Sequence, residues 1–152
     1  MKGAALDGDH HRLMPFVVDL SMAAAWILPD EDSEAAAALM RPLPGTTAPV
    51  PSLFWHEAHN VVLMAERRGR IAAGEAATTM ARLRRLPLED AGGGSDGAVL
   101  TLAASHGLSA YDAAYLALAI ETELPLATLD RKLALAARHQ GLQILGPLAN
   151  GN

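Results

Sequence analysis

Four acidic residues stand out for what they could do together: Asp19, Glu57, Asp112 and Asp130. Asp19 closes the apolar run Phe16-Val17-Val18, and Asp130 follows the run Leu124 to Leu129. Asp112 opens a small-residue helix, Ser109 to Ala119, while Glu57 interrupts an otherwise apolar helical stretch from Leu53 to Met64. Ionised carboxylates repel one another and are costly to bury unpaired, so a fold that gathers several of them calls for a hard cation. An all-oxygen donor set suits Mg²⁺ or Mn²⁺.

Each acid also has an ordinary reading. Ser109 followed three residues later by Asp112 resembles a capping box with Asp in the Glu position. Asp130 is placed to cap a helix beginning at Arg131, and Asp19 one beginning at Ser21. Glu57 has Phe54, Ala58, Val61 and Val62 around it, and periodicity leaves open which face of the helix it occupies. The combination carries more weight than any member.

Other chemistries fit less well. His56, Glu57 and His59 suggest zinc, but a helical zinc-protease motif spaces its histidines at i and i+4, and here they are at i and i+3. Gly92-Gly93-Gly94 lacks the Lys-Ser/Thr that completes a phosphate loop, and no serine sits in a nucleophile elbow. With no cysteine, disulfides and thiolate metal sites are excluded. The net charge of −5 argues against general polyanion affinity. A local basic rim stays possible: Arg67, Arg68 and Arg70 form one cluster, and Arg82, Arg84 and Arg85 another.

The elements that must position the acids follow from pattern and punctuation. We expect a buried strand at Phe16–Asp19, helices at Ser21–Leu28 and Glu31–Met40, and a short strand within Thr46–Val50. A helix capped by Ser52 should run to Arg68 and stop at Gly69. Next come a helix from Ile71 to Leu86, a short strand at Leu88, a flexible loop at Ala91–Ser95 and a helix from Asp96 to His106. The helix of Ser109 to Glu121, a strand at Pro125–Thr128, a helix at Arg131–Gln140 and a strand at Leu142–Leu145 complete the pass. Alternating strands and helices indicate an α/β domain with a mainly parallel sheet of about four to five strands. Ligands in such sheets bind at the carboxyl ends of the strands, where Asp19 and Asp130 fall. Residues 1–14 are expected to be a loose leader, 15–147 one domain and 148–152 a disordered tail. No stretch is long and apolar enough to span a bilayer, and a cytoplasmic location is expected.

These residues resemble the PIN-domain ribonucleases, and among them the VapC-type toxins of bacterial toxin–antitoxin pairs. The resemblance rests on Val17-Val18-Asp19-Leu20-Ser21, on Glu57 with Asn60 one turn later, on Leu108-Ser109-Ala110-Tyr111-Asp112-Ala113-Ala114-Tyr115-Leu116, and on Pro125-Leu126-Ala127-Thr128-Leu129-Asp130. It spans about Phe16 to Leu145. The Gly92–Gly94 loop and the leader depart from the pattern without touching a motif residue.

The resemblance implies a three-layer α/β/α fold and a metal-dependent endoribonuclease. Asp19, Glu57, Asp112 and Asp130 would hold Mg²⁺ or Mn²⁺, and Ser21, Asn60 and Thr128 would support them. Arg67, Arg68, Arg82 and Arg85 would contact RNA or a partner. Implied partners are an RNA substrate, a VapB-like antitoxin covering the acidic groove and a second copy of the chain; Trp26, Leu39, Met40 and Met64 offer apolar surface for one of these contacts or, equally, belong to the core. The alternative is a PIN-like RNA- or protein-binding module without catalysis. A signalling receiver domain would need an acidic pair beside the first strand and a late strand-end Lys, and the chain has neither in place. A metal-dependent phosphatase or DNA nuclease is a further alternative. In all of the metal-dependent readings at least one acid should carry a raised pKa.

Overall fold

The computed structural model describes residues 15–29, 33–41 and 45–150. The leader 1–14, and Glu31 at the start of the second expected helix, lie outside the described residues. The chain runs β1 (Val17–Val18), α1 (Leu20–Ile27), α2 (Glu34–Met40), β2 (Ala48–Val50), α3 (Leu53–Arg67), α4 (Ala76–Arg84), β3 (Leu88–Asp90), α5 (Asp96–His106), α6 (Ala110–Thr122), β4 (Leu126–Ala127), α7 (Arg131–His139) and β5 (Ile144–Leu145).

All strand pairs are parallel. One sheet has the order β1-β4-β5, and β2 pairs with β3 in a second. Val17 stands opposite Leu126 and Val18 opposite Ala127, so Asp19 leaves β1 beside Thr128 as it leaves β4. β2 lies alongside β1 without joining its ladder. The Ala48 N–H and the Val50 carbonyl both bond toward the β3 side, which turns the backbone of Pro49 toward β1. Proline has no N–H to give, and the ladder breaks there. Both sheets belong to the expected parallel α/β architecture, although the four to five strands expected in one sheet are divided three and two; α1 packs on α2, α3 and α4, and α6 on β1, α5 and α7. The core is drawn from these elements: Val17, Val18, Met22, Phe54, Leu83, Tyr115, Leu116, Leu126 and Leu133 are almost fully excluded from solvent.

Some local expectations change. The helix expected from Ile71 begins only at Ala76. Gly74 takes φ +87°, and its N–H donates to Glu66 Oε2 at 2.8 Å, which fixes a turn instead of a helical start. Ser52 is itself helical (φ −54°, ψ −34°) and caps nothing with its side chain. Its hydroxyl donates to Asp90 Oδ1 at 2.8 Å, which joins the start of α3 to the end of β3. The glycine loop is anchored at its beginning, where the Gly92 carbonyl accepts from Ser52 N at 3.0 Å and Gly92 N donates to Asp90 Oδ1 at 2.9 Å. Beyond Pro147 the chain still packs: Leu148 is buried, and its carbonyl accepts from Arg138 Nη2.

Candidate active site

The site is assembled from three helix starts and one helix middle. Asp19 caps α1: its Oδ1 accepts from Met22 N at 3.1 Å and from the Ser21 hydroxyl at 2.7 Å. Its Oδ2 accepts from the Thr128 hydroxyl at 2.5 Å. Thr128 accepts in turn from Asp130 N at 2.9 Å, and Ser21 Oγ accepts from Leu129 N at 2.9 Å. Two hydroxyls therefore stitch the end of β1 to the turn after β4. Asp130 caps α7, with Oδ1 accepting from Leu133 N at 3.1 Å. Asp112 lies in the first turn of α6, and its N–H donates to the N-cap Ser109 at 3.1 Å. Acids belong at these positions electrostatically, because the helix N-terminus carries partial positive charge. Glu57 comes from the middle of α3, where Phe54, Ala58 and Val62 are buried beside it. Its Oε1 accepts from the hydroxyl of Tyr115 at 2.6 Å.

All four carboxylates line one open cavity of about 370 Å³. Leu20, Val61, Leu129 and Tyr115 supply apolar wall, and Arg70, from the connection between α3 and α4, lines it too. A larger cavity of about 490 Å³, between the end of α1 and α4, contains none of the four acids.

The electrostatics are those of crowded, partly dehydrated anions. Burial pushes the Asp19 carboxyl from 3.8 up to about 6, against the pull of the bonds from Thr128, Ser21 and Met22 N, with the charge of Asp130 adding to the rise. Burial also raises Glu57, with Asp112 contributing and the Tyr115 bond opposing. Asp112 is raised by burial and then by Asp130, with Ser109 and Lys132 opposing. Tyr115 is pushed far above its ordinary value by burial and by Glu57, so its hydroxyl remains a donor.

The donor set fits a hard divalent cation. Every candidate ligand is a carboxylate oxygen, and a cation would offset both the dehydration and the mutual repulsion that raise three of the acids. Among the described residues no three His, Cys, Asp or Glu side chains approach closely enough to enclose an ion unaided.

Other residues singled out from the sequence stand away from the cavity. Asn60 is exposed and does not line the cavity. His56 and His59 are exposed on α3, their ring centroids 6.3 Å apart. Arg82 donates from Nη2 to the Ile27 carbonyl at 3.0 Å and so secures the end of α1. Arg84 lies 3.8 Å over the Trp55 ring. Arg67, Arg68 and Arg85 are exposed and away from the cavity wall. Trp26, Leu39 and Met40 pack partly buried against the core, and Trp26 Nε1 donates to the Ala36 carbonyl at 2.7 Å. Two polar side chains of the cavity had no assigned part in it from sequence, Arg70 and Tyr115. The signal for Tyr115 was its spacing: at i+3 from Asp112 it shares that helix face.

The PIN domain family matches residues 16–139. The chain belongs to the PIN-domain family. PIN domains are generally nucleases. The fold is also similar to that of a solved structure, PAE2754 from Pyrobaculum aerophilum, with a TM-score of 0.66 and 22% identity over 88% of this chain and 83% of that one. None of the curated proteins matches the chain. Among the described residues no helix of this PIN domain is long and apolar enough to cross a membrane.

Proposed function

We propose that this PIN domain is a divalent-metal-dependent endoribonuclease and the toxin of a VapBC-type toxin–antitoxin pair. The observation that supports this most is the convergence of Asp19, Glu57, Asp112 and Asp130 on one cavity. These four acids are the proposed catalytic and metal-holding residues. Bound among them, Mg²⁺ or Mn²⁺ would supply Lewis acidity and positive charge to the reacting phosphodiester. Ser21 and Thr128 hold Asp19 in one orientation, a supporting role that ligating carboxylates need. Glu57 or Asp130 accepts the proton of the attacking water. In-line attack then leaves a 5′-phosphate and a 3′-hydroxyl. The exposed Arg67, Arg68 and Arg85 can draw the RNA backbone toward a chain of negative net charge. Cellular tRNA, rRNA or mRNA is the substrate class in this reading, and the reaction takes place in the cytoplasm. A VapB-like antitoxin covers the acidic groove, and the chain forms a homodimer.

A second reading has its own observation. The acids share a cavity without forming a closed cluster of three, which suits a PIN-like module that binds RNA or protein and does not cut. RNA incubated with the purified chain and Mn²⁺ separates the two. The nuclease reading expects cleavage that disappears with chelator and in both Asp19→Asn and Asp112→Asn. Intact RNA in the presence of demonstrable RNA binding would favour the module.

A further inference from the structure

Tyr115 is the largest side chain of the fully buried core among the described residues, 1% exposed, yet it lines the acidic cavity and its hydroxyl bonds an acid of that cavity. Its hydroxyl stands 2.6 Å from Glu57 Oε1, and the charges of Asp19 and Asp112 act on it as well. Tyr115 thus sits among three of the four carboxylates and bonds one. The arrangement repeats what happens at Asp19, where Thr128 and Ser21 hold the carboxylate. The need is greater at Glu57. Asp19 is fixed by its own backbone turn through Met22 N, whereas Glu57 projects from mid-helix on a longer side chain with three rotatable bonds. A single hydroxyl donor occupies one direction at Oε1 and leaves Oε2 without a claim from Tyr115.

We propose that Tyr115 is the positioning residue of Glu57: its hydroxyl aims that carboxylate into the acidic cavity, so that α6 delivers one acid, Asp112, and orients a second. This rests on the metal-dependent reading of the cavity. If Tyr115 were only a core ring, phenylalanine would replace it without consequence, since the two share the same volume apart from the hydroxyl.

The test is a double-mutant cycle on the full chain with Tyr115→Phe, Glu57→Gln and the pair. Two readouts are taken, Mn²⁺ binding by calorimetry and chelator-treated thermal unfolding, with RNA cleavage alongside. The expected result is that Tyr115→Phe weakens Mn²⁺ binding about tenfold in the native background and less than about twofold when Glu57 is already Gln. Equal losses in both backgrounds, or unchanged Mn²⁺ binding in Tyr115→Phe, would overturn the proposal. Mn²⁺ binding without RNA cleavage sinks the nuclease reading and leaves the cycle intact. If the native chain binds no Mn²⁺, the metal-dependent reading falls, and the positioning role that rests on it falls with it.

Discussion

Asp19→Asn should make the metal-free protein more stable while removing its metal site. Asp19 is 4% exposed, and its carboxyl is held near 6 against an ordinary 3.8. A folded-state value above the unfolded one means the folded chain holds that proton more tightly between about pH 4 and pH 6. Stability therefore falls as pH rises through that window, and the whole loss is felt above about pH 7. At about 1.4 kcal/mol per pH unit the gap is worth about 3 kcal/mol. Asparagine removes the buried charge and keeps the shape. Its carbonyl can accept from Ser21 and Met22 N as Oδ1 does, and its amide can donate to Thr128 Oγ1, which has acceptor capacity to spare. The amide has its own dehydration cost, so the net gain should be about 1–3 kcal/mol near pH 8, or several degrees in Tm for a chain of this length. The assay is equilibrium urea unfolding in chelator, native against Asp19→Asn, at several pH values from about 4 to 8. The gain should vanish near pH 4, where the native carboxyl is already neutral. A variant less stable than native near pH 8, or a gain independent of pH, would refute the reasoning, because the hydrogen bonds would then outweigh the dehydration of the charge.

Other expectations follow from the same geometry. Thr128→Val removes the donor to Asp19 and the acceptor of Asp130 N in a fully buried place; urea unfolding should show a loss of about 1–3 kcal/mol. Gly146→Ala places a Cβ at 2.6 Å from Met22 Cε with φ at +98°, and thermal melts should register a loss of at least about 1–2 kcal/mol. Mn²⁺ affinity, followed by the electron paramagnetic resonance of the free ion, should weaken about tenfold from pH 8 to pH 5 as Asp19 takes up its proton; a flat profile would exclude Asp19 from the ligand set.

Much of the frame was legible because it is locally encoded. Phe16-Val17-Val18 reads as a buried strand, and Val17–Val18 form one with Phe16 buried beside them, and Ser109, Asp130 and Asp19 stand at helix starts by their own capping chemistry. Asp19, Asp112 and Asp130 meet because they stand at strand and helix ends of a parallel fold. What sequence left open involves partners distant along the chain. The face taken by Glu57 is settled by Tyr115, 58 residues away. Arg82 looks like one of a basic cluster until the Ile27 carbonyl, 55 residues earlier, is seen to hold it. Ser52 has the composition of an N-cap, but Asp90 claims its hydroxyl. Ile71 is apolar at the right period for a helix, yet it is buried in a turn that Gly74 and Glu66 fix.

The proposed nuclease needs a divalent cation held among Asp19, Glu57, Asp112 and Asp130. Anomalous diffraction from crystals of the chain grown with Mn²⁺ tests it most directly. A manganese peak is expected inside the cavity bounded by Asp19, Glu57, Asp112 and Asp130, lost in Asp19→Asn. A cavity holding only water while the protein diffracts well at saturating Mn²⁺, or manganese bound solely elsewhere, would contradict it.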